Sequence, residues 1–163
     1  MTTRLRLATA DDVPHLTALI EHSARTLSVG FYDAQQTEAV VRHVFGVDTQ
    51  LIVDGTYFVI ECDGTIAACG GWSRRSTLFG GDQYKAEADA LLEPAHDAAR
   101  IRAFFVHPDF ARRGLGRMLL DASLNAARAE GFTALELVAT MPAEPPTPRA
   151  LPARQPSTGN DPP

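Results

Sequence analysis

Along roughly the first 140 residues the hydrophobic positions switch repeatedly between a spacing of two and a spacing of three to four, the marks of strands and of helices. Leu5-Arg6-Leu7 reads as a short strand. Thr9-Ala10-Asp11-Asp12 then has the form of a capping box, and Val13, Leu16, Leu19 and Ile20 follow on one helical face. A second helix is expected over about Ala34 to Phe45, where Val40, Val41, Val44 and Phe45 recur at helical spacing and Gly46 stands ready to end it. Tyr57 to Cys62 and Thr65 to Ser73 read as two strands joined at the turn pair Asp63-Gly64. From about Arg75 to Ala99 the chain is polar and without clear period, with one helical turn expected over Ala86 to Leu92; loops of this length inside a domain are usually functional or mobile. Arg100 to Val106 is rich in β-formers. Gly114 to Glu130 reads as a helix with Leu115, Met118, Leu119, Ala122 and Ala126 as its buried stripe, Asn125 and Arg128 on its polar face and Gly131 as its stop. Ala134 to Ala139 is the last strand. Strand, helix, helix, hairpin, strand, helix, strand predicts a mixed α/β sandwich, with the Gly114 helix joining two parallel strands by a right-handed crossover.

Composition changes this picture at one end. Eight of the 11 prolines fall within residues 141–163, so this stretch cannot form a helix interior or a central strand, and it is expected to be an irregular or disordered tail. Residues 1–140 then make one domain, as a chain of 163 residues suggests. The net charge of −5 argues against a general nucleic-acid binder. No apolar run approaches the ~18 residues of a membrane span, and the charged N-terminus is unlike a signal peptide, which points to a cytoplasmic protein. Cys62 and Cys69 flank the Asp63-Gly64 turn. A two-residue hairpin would set Phe58 opposite Cys69 and leave the two thiols roughly 13 Å apart along the strand, too far for a disulfide, so both are expected to be reduced and buried. The histidines and cysteines show no metal-ligand spacing.

The stretch that carries chemistry is Val106-His-Pro-Asp-Phe-Ala-Arg-Arg-Gly-Leu-Gly-Arg117. A strand ends, Pro108 turns the chain, and Gly114 and Gly116 open a helix whose first N–H groups have no intrahelical acceptor. Such a start attracts phosphate, because the unpaired amides and the positive helix end favour an anion and a missing Cβ allows close approach. Arg112, Arg113 and Arg117 add positive charge. Between Arg100 and Arg117 there are five arginines and one aspartate, a local reversal of the chain's overall sign. The competing reading of the glycine spacing alone is an ordinary turn with solvated arginines. A P-loop is excluded by the lack of Gly-Lys-Ser/Thr, and a dinucleotide fingerprint by Leu119 where a third glycine would stand.

These residues resemble the GNAT N-acetyltransferase superfamily, whose main signature is Gln/Arg-x-x-Gly-x-Gly/Ala before a long helix. Here it stands as Ala111-Arg-Arg-Gly114-Leu-Gly116, with alanine at its first position. The Arg4 to Leu7 strand with Ala10-Asp-Asp12, Gly70-Gly-Trp72, Ala99 to Pro108 and Gly131-Phe132 extend the likeness over roughly residues 4 to 140. The resemblance implies an acyl-CoA N-acyltransferase sandwich with acetyl-CoA as co-substrate in a gap between the fourth and fifth strands. It implies that Phe104, Phe105 and Val106 offer main-chain groups to the pantetheine, and that Arg112, Arg113, Gly114, Leu115, Gly116 and Arg117 hold the pyrophosphate. An amine of a small molecule or protein would attack the thioester directly, with backbone donors of the fourth strand polarising the carbonyl.

After the fifth strand the likeness ends. The family continues with a helix and two closing strands, whereas this chain runs Thr140-Met-Pro-Ala-Glu-Pro-Pro-Thr-Pro-Arg-Ala-Leu151, with no counterpart of the tyrosine that often protonates the departing thiolate. Codons for Pro146 to Leu151 exist that, read one base over, spell Leu-His-Arg-Ala-Leu, close to the family's helix start; a frameshift is the expectation, with a natural short variant as the alternative, and sequencing the locus decides. Without closing strands, Leu135, Leu137 and Val138 would lie on an open edge, a route to a homodimer. Glu136 is the one carboxylate of the fifth strand, either a general base acting through water or a solvent-facing residue. His107 is a titratable group or a turn residue, Arg102 points to the substrate side or to water, and Trp72 and Tyr84 line an acceptor pocket or simply pack. Two readings follow, an acetyl-CoA-dependent N-acetyltransferase and a non-catalytic, cofactor-binding or self-associating remnant of one.

Overall fold

The two hydrophobic periods become five strands and four helices among residues 1–27, 29, 33–43, 45–83 and 89–138, the part of the chain described by the structure, a computed structural model. In chain order these are β1 (Thr3–Leu7), α1 (Val13–Leu27), α2 (Ala34–His43), α3 (Thr49–Val53), β2 (Tyr57–Cys62), β3 (Thr65–Ser73), β4 (Ala99–Val106), α4 (Leu115–Ala129) and β5 (Leu135–Glu136). Short 3₁₀ turns precede α1 at Ala10–Asp12 and follow β4 at Pro108–Phe110. The expected tail at 141–163, Tyr84 and residues 86–88 of the helical turn expected over Ala86 to Leu92 lie outside the described residues; the rest of that stretch, 89–92, is not helical, because Leu91 forms an antiparallel bridge with Arg75 and the Leu92 amide is spent on the Arg74 carbonyl.

The entry to α1 is built as the sequence suggests. Thr9 donates its amide to the Asp12 carboxylate at 2.8 Å, which satisfies one orphan donor of the helix start, while Arg6 of β1 grips the same carboxylate at 2.8 and 2.9 Å. Leu16, Leu19 and Ile20 are thereby turned onto the sheet. α3 was not foreseen: five residues are too short to show a period, and what starts the helix is Asp48, whose side chain accepts from the Gln50 amide at 3.0 Å.

The sheet runs β1-β2-β3-β4-β5, antiparallel except for the parallel pair β4–β5 that α4 connects. Alternation splits β2 between two layers. Tyr57 and Val59 join Leu16, Leu19, Ile20, Leu51 and Cys69 on the α1 face, while Ile60 and Cys62 join Leu115 and Leu119 on the α4 face. A third cluster, Trp72, Ala99, Ile101, Ala127, Phe132 and Leu135, fills the end where β5 docks. Within α4 the stripe is Leu115, Leu119, Ser123 and Ala127; Met118, expected inside, is 37% exposed.

Two bulges move the register. The hairpin does turn at Asp63-Gly64, but Ala67 has no partner on β2, so Cys69 faces Val59 instead of Phe58. Both thiols are free and buried. On β4 the pairs Cys69↔Phe105 and Gly71↔Arg102 leave Ala103 and Phe104 together opposite Gly70. Ala103 takes a φ of +55°, uncommon for a residue with a side chain, and a Cβ on Gly70 would collide with the Phe104 ring. β5 is shorter than expected: two residues pair, at Ala99↔Leu135 and Arg100↔Glu136.

Candidate functional site

Because β5 pairs with β4 only at its first two residues, the strands part beyond Arg100 and Glu136. From Ile101 to Val106 one edge of β4 has no strand partner among the described residues. His107 donates its amide to Ala67 on β3 at 2.8 Å, and since successive amides of a strand point to opposite sides, Val106 and Phe104 present theirs to the gap. Their side chains anchor the strand: Phe104 and Val106 pack on the α4 face, and Phe105 meets Phe45 edge-on at 5.6 Å on the other.

At the end of β4 the chain turns sharply. His107 accepts the Asp109 amide on Nδ1 at 3.1 Å and caps the Pro108–Phe110 turn, so its role in the structure is that of a turn residue. Arg112 follows with a φ of +62° and Gly114 with +82°, after which Leu115 is buried and fixes the first turn of α4. The first amides of that turn have no intrahelical acceptor. Around them the surface is open, for a Cβ built on Gly114 or Gly116 meets nothing within 4 Å. Arg112, Arg113 and Arg117 are exposed beside this helix start; the Arg113 guanidinium lies 5.5 Å from the Phe110 ring centre and Arg117 is 3.8 Å from Asp121. Open amides, a positive helix end and three exposed guanidinium groups are a donor set whose chemistry would suit a pyrophosphate.

The remaining candidates are placed elsewhere. Glu136 is half-exposed and ion-paired with Arg100 across the β4–β5 pair, so acting as a base would require it to leave that partner. Arg102 points neither to solvent nor to an open pocket. It is 1% exposed, pairs with the equally buried Asp48 at 3.0 Å and donates to the Gly80 carbonyl at 2.6 Å, which ties the loop after β3 to the sheet. The β4 bulge is the reason: Ala103 no longer alternates with Arg102, and both face the α1 side. Trp72 is core, packed edge-on against Phe132 at 5.8 Å, and Asn125 and Arg128 are exposed on α4. Sequence reasoning missed Tyr57, whose hydroxyl reaches the bulge; only the Gly70-Gly71 pair hints that backbones come close there.

A separate groove of about 640 Å³ lies on the α1 face, lined by Arg6, Asp12, His15, His22, Glu61 and His107 among others. Its carboxylates are committed to Arg6, at 2.8 Å for Asp12 and 2.9 Å for Glu61, and the Arg6 hydrogen bond holds the Asp12 pKa down at about 2. No group of three or more ligating side chains suited to a metal occurs among the described residues.

The acetyltransferase (GNAT) family model matches residues 16–148, and the chain belongs to this family. It is therefore an acyltransferase by class. Among solved structures it resembles the PaiA N-acetyltransferase from Thermoplasma acidophilum in complex with coenzyme A, with a TM-score of 0.62 at 11% identity over 86% of this chain and 81% of that one. A GNAT family acetyltransferase from Brucella melitensis in complex with acetyl-CoA gives 0.55 at 17% identity, over 86% and 77% of the two chains. A GCN5-related N-acetyltransferase from Ralstonia eutropha JMP134 gives 0.59 at 19% identity, over 99% and 98%. Identities this low speak for a shared fold. No curated protein matches the chain. Among the described residues no helix is long and apolar enough to cross a membrane.

Proposed function

We propose that the chain transfers the acetyl group of acetyl-CoA to a primary amine of a small molecule or protein. The observation that carries this reading is the parting of β4 and β5 directly beside the open, arginine-rimmed start of α4. Acetyl-CoA supplies an activated acyl thioester, whose C–S bond breaks as an amine nitrogen bonds to the carbonyl carbon.

Everything else falls to the chain's own residues. The amides at Gly114, Leu115 and Gly116, with Arg112, Arg113 and Arg117, hold the pyrophosphate and so fix the ligand at one end. The unpaired edge of Phe104, Phe105 and Val106 receives the amide-rich arm as a sheet edge receives an added strand, satisfying groups that would otherwise need water. Donors in this edge, fixed before the ligand arrives, stabilise the negative charge that grows on the carbonyl oxygen. The attacking amine must lose a proton. Glu136 is the carboxylate of β5 for this role, once released from Arg100.

Thermal unfolding of the purified chain with and without millimolar acetyl-CoA tests the reading. A ligand at a hundred times its Kd adds about 2.7 kcal/mol to stability, which for a chain of this size raises Tm by roughly 5–10 °C. That rise, followed by amine-dependent release of free CoA thiol across an amine panel, is the expected result. A cooperative transition that ignores acetyl-CoA overturns the cofactor assignment, and a rise without turnover on any amine overturns catalysis while leaving binding.

A further inference from the structure

The bulge in β4 is held from below. Tyr57, at the start of β2, is 1% exposed, and its hydroxyl lies 2.7 Å from the Ala103 carbonyl oxygen and 3.1 Å from Cys69 Sγ. One hydroxyl hydrogen serves one acceptor, and a carbonyl can only accept. The hydroxyl therefore donates to Ala103, and the Cys69 thiol donates to the hydroxyl oxygen. Burial keeps both groups protonated for this purpose, pushing the Cys69 thiol up to about 12 and the Tyr57 phenol well above its ordinary value.

Ala103 is also the residue of β4 with a positive φ, a conformation that persists only where its surroundings impose it. Its peptide with Phe104 is trans and planar, so the C=O and the N–H point in opposite directions. Fixing the carbonyl toward Tyr57 thereby fixes the Phe104 N–H toward the open edge of β4. Hydrogen bonding at the carbonyl also polarises the peptide and makes that N–H a better donor.

We infer that Tyr57 is a positioning residue for acetyl transfer: through the Ala103 carbonyl it aims the Phe104 amide at the thioester carbonyl, with Cys69 at the head of the hydrogen-bonded chain. This rests on the acetyl-CoA reading given above. Neither side chain touches the ligand, and both act through one peptide plane.

Calorimetric titration of the whole chain with acetyl-CoA and with CoA, which lacks the acyl carbonyl, separates positioning from mere structural support. In Tyr57→Phe, CoA affinity is expected to stay within about twofold while acetyl-CoA binding weakens about fivefold, the loss of one modest hydrogen bond. Hydrogen exchange at the Phe104 amide should quicken in the same variant without ligand. Cys69→Ala is expected to show the same selective loss at smaller size, and Cys69→Ser, which keeps a donor, to recover it; this pair carries the test should Tyr57→Phe not fold. Equal losses for both ligands, or none for either, overturn the inference while the cofactor reading stands. Failure of the unmodified chain to bind CoA or acetyl-CoA overturns both.

Discussion

A methyl group added at Gly116 would point into open space, yet in the acetyl-CoA complex we propose that space is where the pyrophosphate would sit. Gly116→Val should leave stability nearly unchanged, since valine and glycine differ by only a few tenths of a kcal/mol in helix propensity, and should weaken CoA binding at least about tenfold. Gly114→Ala should behave differently. Its φ of +82° costs an L-residue about 1–2 kcal/mol, read as a lower denaturation midpoint even without ligand. The same scale governs the response to acid. The hydrogen bond from Arg6 lowers the folded pKa of Asp12 from 3.8 to about 2, so its contribution is fully present above pH 4 and is lost as the pH falls through about 2. The amount at stake is on the order of 2 kcal/mol. Unfolding free energies measured between pH 5 and pH 2 should therefore decline less steeply in Asp12→Asn than in the unmodified chain, and parallel declines would refute the assignment.

At the level of elements, the buried Arg102–Asp48 pair joins β4 to the cap of α3 and to the loop carrying Gly80. Removing one member of such a pair strands the other charge, so Arg102→Met should cost about 3–5 kcal/mol in chemical denaturation. The double variant Arg102→Met/Asp48→Asn should recover part of that; simple additivity of the two losses would show that the charges do not act together. This pair also marks how far the sequence could be read. Periods of two and of three to four located β1 to β4, α2 and α4 within a residue or two and the start of α1, and the glycines with their arginines located the start of α4, because each of these signals is local. Bulges leave no such trace. One unpaired residue at Ala67 moved Cys69 from Phe58 to Val59, and one at Ala103 turned Arg102 inward, since every position past a bulge changes its partner or face. Tyr57 and Ala103 are 46 residues apart in sequence, and nothing in composition or spacing foretold that a hydroxyl from one would hold the carbonyl of the other.

For the molecule as a whole, a net charge of −5 coexists with an exposed cluster of Arg112, Arg113 and Arg117 at one end of the sheet. Ligand capture that depends on this cluster is screened by salt, because the guanidinium groups are in water and the Debye length falls from about 10 Å at 0.1 M to about 3 Å at 1 M. Affinity for CoA should drop severalfold between about 50 mM and about 500 mM salt, whereas unfolding without ligand should hardly respond; a flat binding curve would remove the arginines from the proposed pyrophosphate site. The order of strands in space repeats their order along the chain, β1 to β5. During synthesis each strand therefore emerges beside an edge that is already waiting for it, and the sheet grows in one direction only. β5, and with it the gap on β4, comes after the two hydrophobic layers around α1 and β2–β3 have all their strands. The protein is made scaffold first and pocket last.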